Sequence, residues 1–237
     1  MDHQTLIILT EPLFQPALLQ AALSQNGADG LNVEPVDTLD ALIAALDQSA
    51  GPVRLAAFCS GIIVPPGILS RIDAGAYNFH PGPPEYPGLF PSCFAIYEDA
   101  ETFGATAHLM TDKIDKGEIV GVEHFAMQKD SDRMTLDKMA LECVLQLYHR
   151  LLPHLVKLDA PITPSGEVWL GRPRSTKDFK ALCELPDDVT ADEFDKRYRA
   201  VGEGPNHALT ITLFGQRFKL DNSRTTEDVV RGGLPTT

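Results

Sequence analysis

Between residues 5 and 80 the chain alternates short apolar runs with segments of helical spacing, and this alternation constrains the fold more than any other feature. "TLIILT" is an apolar, β-branched run that reads as a buried strand. "PALLQAALSQN" carries apolar residues at helical steps and is predicted to stop near Gly27. "LNVEPV", "VRLAAFC" and "AYNFH" read as further strands. Between them, "TLDALIAALDQ" reads as a helix capped by Thr38 or Asp37, and "PPGILSRI" as a short helix entered through prolines. Strand following helix in this way predicts a mostly parallel sheet covered by helices.

Beyond residue 90 the pattern changes. "PSCFAIYED" reads as a helix, and "GATAHLM" and "EIVGVEHFAM" as strands. "MTLDKMALECVLQLYHRLLPHLVKL" is a long amphipathic helix. Residues 159–176, rich in Pro, Gly and Ser/Thr, read as a linker. A helix around "TADEFDKRYRAV", a Gly/Pro break and the hairpin "ALTITLFGQRFKLD" turning at "FGQ" complete a small module. The expected class is α/β: a Rossmann-like, mostly parallel sheet with a small C-terminal α+β module. The expected division is 1–158 for the main domain, 159–176 for the linker and 177–237 for the module.

The formal net charge of −13 repels phosphate backbones at long range and disfavours a nucleic-acid partner. The opening "MDHQTLIILTEPLF" lacks the basic and long apolar regions of a signal peptide, and no run approaches bilayer length. A cytoplasmic protein with no membrane partner is therefore expected. Cys59, Cys93, Cys143 and Cys183 are widely spaced without a CxxC pair, which suits reduced thiols and gives a zinc site no support. His124, His149 and His154 show no mutual metal spacing, so no metal is expected.

"YNFHPGPPEYPG" is the stretch that suggests chemistry. Asn78 and His80 lie two apart in a predicted strand and project to one face. They stand where that strand runs out into a proline-rich loop, and open parallel sheets bind ligands beyond the carboxyl ends of their strands. An amide donor can stabilise an oxyanion, and an imidazole can move protons. A lone His near a strand end is more often structural, so the pair alone does not make an enzyme. "GATAHLMTDKIDKGEIV" adds Asp112 and Asp115 on a loop, with Gly117 for a tight return. A carboxylate near His80 would orient its ring and favour its charged form.

Taken together, "AFCSGIIVPPGIL", "YNFHPGPPEYPG" and "AIYEDAETFGATAHLMTDKIDKGEIV" resemble the catalytic domain of the folate-dependent formyltransferases. The likeness rests on Asn78, His80, Gly88, Gly104 with Thr106, and Asp115 with Gly117. It implies formyl transfer from 10-formyltetrahydrofolate, a co-substrate, to a primary amine. Asn78 would bond the formyl oxygen, His80 would stabilise the oxyanion as imidazolium, and Asp115 would hold that charge and help move the amine proton. By the same resemblance, Ser60, Ile62 and Val64 and then Thr111, Asp112 and Lys113 would present backbone groups to the pterin edge. The resemblance also implies a cis bond before Pro84. His108 reads as a strand position that packs or orients the site.

The acceptor is narrowed by what the chain lacks. "TEPLFQPAL" after the first strand offers no Gly-rich phosphate cradle, against a ribonucleotide acceptor. From Gly171 onward eleven basic residues balance eleven acidic ones, a poor footprint for tRNA. An amino-sugar nucleotide or other small amine is the favoured acceptor, with Trp169, Arg172 and Arg174 as candidates for its base and diphosphate. The alternatives are a methionyl-tRNA-type formyltransferase, a formyltetrahydrofolate hydrolase and a non-catalytic folate-binding protein. A homodimer is open on the sequence.

Overall fold

The computed structural model describes residues 4–25, 30–202 and 207–221. The helix stop expected at Gly27 and most of the Gly/Pro break after residue 202 lie outside them. The chain packs as two compact units: Met1–Gly88 with Thr102–Ala126 and Met139–Pro173, and Leu89–Glu101 with Met127–Lys138 and Arg174–Thr237.

The first unit is built on a six-stranded sheet of order β2-β1-β3-β4-β5-β6. Its strands are β1 (Thr5–Leu9), β2 (Asn32–Val36), β3 (Val53–Phe58), β4 (Ala76–His80), β5 (Thr102–Leu109) and β6 (Ile119–Ala126). β2, β1, β3 and β4 run parallel, and β5 and β6 pair antiparallel beyond them. The mostly parallel sheet expected from the alternation is therefore present.

Both faces of β1 are buried, which is why it reads as an unbroken apolar run. Leu6 and Ile8 join one core with Tyr77, Phe79, α1 (Gln15–Leu23) and α5 (Arg133–Leu155). Ile7 and Leu9 join a second core, on the other face, with α2 (Leu39–Gln48) and α3 (Pro66–Leu69). Thr38 caps α2 by accepting the Ala41 N–H at 3.1 Å.

Within β3, Arg54 has no exposed surface. Its guanidinium donates to the carbonyls of Ala74 (2.8 Å), His154 (2.5 Å), Lys157 (2.7 Å) and Ala160 (2.6 Å). A cation suits the carbonyl-rich end of a helix, and here it ties the end of α5 and the chain after it to the sheet. All four cysteines are free thiols. Burial pushes Cys59 and Cys93 up to about 12, so both stay protonated.

The second unit contains α4 (Pro91–Tyr97), α6 (Thr176–Cys183), β7 (Glu184–Leu185), α7 (Ala191–Val201), β8 (Thr210–Leu213) and β9 (Gln216–Lys219). Ser175 and Asp178 form a reciprocal capping box at the start of α6. The Phe90 and Phe179 rings stack at 3.9 Å. The hairpin turns at Phe214 and Gly215, both left-handed (φ 51 and 74), as a type I′ hairpin turn requires.

Candidate active site

The site lies on the sheet face shared with the second core, at the β4–β5 pair. Successive β4 residues alternate sides. Tyr77 and Phe79 enter the core against α5, so Asn78 and His80 point the other way. In the antiparallel register Asn78 faces His108 and His80 faces Thr106. Four polar side chains thus share one patch of an otherwise apolar sheet. An irregularity in the β5–β6 ladder falls between Ala107 and His108, beside that patch.

Two loops close over it. In the proline-rich loop, the Tyr86 N–H returns to Pro83 O at 2.9 Å, placing Pro84 second in a turn. A trans proline is at home there, whereas a cis one belongs at the third position. Among the described residues no peptide bond is cis, so the expected cis bond before Pro84 is absent. Thr106 donates to Gly82 O at 2.8 Å and anchors this loop to β5.

The β5–β6 loop folds back so that Asp115, only 6% exposed, enters the patch. Its backbone is left-handed (φ 45), an uncommon conformation for a residue other than glycine and one that concentrates at functional sites. Gly117 serves this return by close approach: a Cβ there would stand 1.8 Å from Leu109 O.

Asp115 Oδ2 accepts the Gly88 N–H at 2.6 Å and lies 3.7 Å from His80 Nδ1. Its Oδ1 lies 3.1 Å from His108 Nε2. Burial alone would raise the carboxyl. The His80 charge, the hydrogen bond and charge of His108 and the Gly88 N–H outweigh burial and hold it at about 2.

His80 is lowered as well, but for a different reason. Burial lowers it, opposed by Asp115 and by the bond to the Tyr86 carbonyl. Burial thus favours the neutral ring of His80 beside an ionised Asp115 in the ligand-free site, while the imidazolium that the resemblance implies belongs to the intermediate, when an oxyanion is present. His80 Nε2 lies 3.0 Å from Tyr86 O, which can only accept, so the proton sits on Nε2. The bare Nδ1 faces Asp115, where an added proton would be welcomed.

Of the two readings for His108, packing or orienting the site, its contacts favour the second. Its Nδ1 donates to Leu109 O at 2.9 Å. Its Nε2 faces both the Asn78 amide nitrogen, at 3.2 Å, and Asp115 Oδ1. A neutral ring can accept from Asn78, and a doubly protonated ring can donate to Asp115. One nitrogen cannot do both. The register that brings His108 to Asn78 could not be read from the sequence, although "TAHLM" carries the residue.

The six residues expected to present backbone groups fall on two loops. Ser60 and Ile62 are half-buried, and Ser60 Oγ accepts the Ile62 N–H at 3.2 Å. Val64 is buried in the second core. Thr111, Asp112 and Lys113 are exposed, and the Thr111 hydroxyl bonds both N–H and C=O of Lys113. Each loop also exposes an isoleucine: Ile63 at 71% and Ile114 at 51%.

Trp169 donates its indole N–H to Gly117 O at 2.9 Å and stands edge-on to His80 and His108. Arg174, in the second unit, pairs with Glu98 and lies over the Phe94 ring. Arg172 is exposed. Among the described residues no cluster of three or more His, Cys, Asp or Glu side chains could hold a metal ion, and no helix is long and apolar enough to cross a membrane.

Comparison with known proteins places this geometry. The structure superposes on a sugar N-formyltransferase from Shewanella sp. FDAARGOS_354 with a TM-score of 0.72 and 18% identity, over 95% of this chain and 99% of that one. An N-formyltransferase from Helicobacter canadensis, solved with folinic acid and dTDP-3-aminofucose, matches with a TM-score of 0.62 and 15% identity over 90% of each chain. PseJ from Anoxybacillus kamchatkensis was solved with UDP-4,6-dideoxy-4-formamido-L-AltNAc and tetrahydrofolate. It matches with a TM-score of 0.58 and 19% identity over 75% of this chain and 88% of that one. At such identities the likeness establishes the shared fold. The formyl transferase family model matches residues 19–152, more than half of the 237 residues and all of Asn78, His80 and Asp115, and the chain belongs to that family.

Proposed function

We propose that this protein moves a formyl group from 10-formyltetrahydrofolate to the primary amine of an amino-sugar nucleotide. The observation that carries the reading is the convergence of Asn78, His80 and Asp115 on one patch of a formyl transferase fold. The amine nitrogen attacks the formyl carbon, and the carbonyl oxygen becomes an oxyanion. The bond to the folate N10 then breaks, and the amine loses a proton as N10 gains one. Asn78 turns its amide N–H from His108 to that oxygen. His80 takes the amine proton at Nδ1, beside the Asp115 carboxylate, or meets the oxyanion with an N–H. An anion arriving at the ring would itself raise the His80 pKa and offset burial.

Ile63 and Ile114, exposed on the two loops flanking the patch, supply apolar walls for a flat ring. Backbone groups of Ser60, Ile62, Val64, Thr111, Asp112 and Lys113 would read its polar edge. The choice of acceptor draws on the sugar nucleotides bound by the Helicobacter and Anoxybacillus proteins and on the balanced charge of this chain beyond Gly171.

Calorimetric titration with folinic acid, followed by incubation with 10-formyltetrahydrofolate and dTDP- and UDP-linked amino sugars, tests the proposal. Micromolar folinate binding and an N-formylated sugar detected by mass are expected. Asp115→Asn should lower the transfer rate by about 10²–10⁴-fold. Formate release without a formylated sugar would indicate a hydrolase. No folinate binding at millimolar concentration would end the folate reading.

A further inference from the structure

Residues 165–171 lie along the edges of both loops that close the site. The Ser165 N–H bonds Ile119 O at 2.8 Å, just past the Asp115 loop. The N–H groups of Leu170 and Gly171 bond Pro84 O at 3.0 and 3.2 Å, in the proline-rich loop. Gly171 passes so close that a Cβ there would stand 2.0 Å from Glu85 O. Between these anchors sits Trp169, its indole N–H on Gly117 O. Its ring centre lies 6.2 Å from that of His80 and 5.1 Å from that of His108, with interplanar angles of 65° and 79°.

From this arrangement we infer that Trp169 is a positioning residue, holding the His80 and His108 rings in their working orientation and shielding the His80–Asp115 pair from water. A T-shaped contact fixes a ring's tilt without consuming its nitrogens. Both imidazoles therefore keep their polar atoms for Asp115, Asn78 and the backbone. The groups facing His80 are Asp115 from the β5–β6 loop, His108 from β5 and the Tyr86 carbonyl from the proline-rich loop. The tryptophan adds no charge to them, so it acts by excluding solvent and by fixing geometry. The inference rests on the formyl-transfer reading only in giving those histidines a catalytic purpose.

Histidine NMR titration of the ligand-free protein tests it, with His80→Gln assigning the His80 signals. In Trp169→Leu, water should reach the ring and raise the His80 midpoint by about one pH unit. Trp169→Phe, which keeps a ring and loses the N–H, should move it by less than half as much. A merely structural tryptophan would cost stability in urea and leave the His80 midpoint within about 0.2 units of wild type, and that result overturns the inference. Folinic acid affinity separates the remaining alternative. Trp169→Leu should bind within about threefold of wild type, because the indole is turned to the histidines. Weakening by tenfold or more, about 1.4 kcal/mol, would place Trp169 against the ligand and overturn the positioning role. Failure of wild type to bind folinate would strike the proposed function while leaving the His80 titration readable.

Discussion

Arg54 and Asp115 each bring charge into the first unit, and their surroundings are built on opposite principles. Arg54 has a carbonyl for each of its arms and meets no competing donor. Around Asp115 the claims exceed the capacity. His108 Nε2 faces an amide donor and a carboxylate acceptor at nearly equal distances, and one nitrogen can serve only one of them. A fully satisfied polar cluster has one good arrangement and rigidifies what it touches. An over-subscribed one has several, and a small change in protonation or a ligand oxygen decides among them. The Arg54 cluster belongs to the scaffold, and the proposed function assigns the Asp115 cluster to the chemistry.

Arg54→Met gives the sharpest test of that contrast. It fills the space with an apolar chain and leaves the carbonyls of Ala74, His154, Lys157 and Ala160 without their donor. A loss of about 4 kcal/mol is expected, since each buried acceptor left unpaired costs about 1–3 kcal/mol and water recovers part. Urea unfolding at neutral pH reads it. A loss below about 1 kcal/mol would mean that these carbonyls find other partners, and the clamp would lose its meaning.

Legibility in the sequence divides along the same line. The strands were visible because a parallel sheet buried on both faces leaves continuous apolar runs such as "TLIILT". The Asn78/His80 pair was visible because polar residues are out of place in such a strand. Arg54 passed unnoticed within "VRLAAF". Its partners lie 20 and about 100 residues away, and hydrophobic periodicity says nothing about what closes over a position. His108 could be read only as a residue that packs or orients the site, because which of the two it does depends on cross-strand register. In the loop "TDKIDKG" Asp115 was legible as a carboxylate for His80, and Thr111 to Lys113 form an exposed turn. The left-handed backbone by which Asp115 enters was not legible, since the position is not a glycine. The cis bond expected before Pro84 failed because the prolines form an ordinary turn.

The two clusters should also part company in acid. The Asp115 carboxyl is held at about 2, below its ordinary 3.8. A depressed acid contributes stability above its unfolded pKa and loses it as pH falls through the folded one. About 2 kcal/mol should therefore disappear between roughly pH 4 and pH 2. His80, lowered from 6.5 by burial, adds a step of the same sign: its contribution is whole above 6.5 and declines as pH falls below it. His207, half-buried in the second unit and lowered chiefly by burial, contributes in the same direction. Asp115→Asn should flatten the lower step and deepen the upper one, because His80 loses the carboxylate that opposed its lowering. In Arg54→Met the curve should be displaced downward with its shape kept, because a guanidinium does not titrate here. Urea midpoints measured from pH 7 to pH 2 distinguish a displaced curve from a flattened one.

The smallest effect on stability is expected where the cluster is over-subscribed. Asn78 is half-buried, and its amide competes with Asp115 for the same nitrogen of His108. In Asn78→Ala the competitor is gone. A doubly protonated His108 can then donate from Nε2 to the carboxylate alone while Nδ1 keeps Leu109 O, so the lost hydrogen bond is offset by the relief of the conflict. Stability should change by no more than about 0.5 kcal/mol, against the roughly 1 kcal/mol that an ordinary buried hydrogen bond contributes. On the proposed function the formyl oxygen loses its donor all the same, and transfer should fall by about 10²–10³-fold, as it does when an oxyanion donor is removed elsewhere. Urea unfolding and the formylation assay, run on one preparation, read both quantities. A stability loss of about 2 kcal/mol would show that Asn78 is as fully committed as Arg54, and the distinction between the two clusters would not stand.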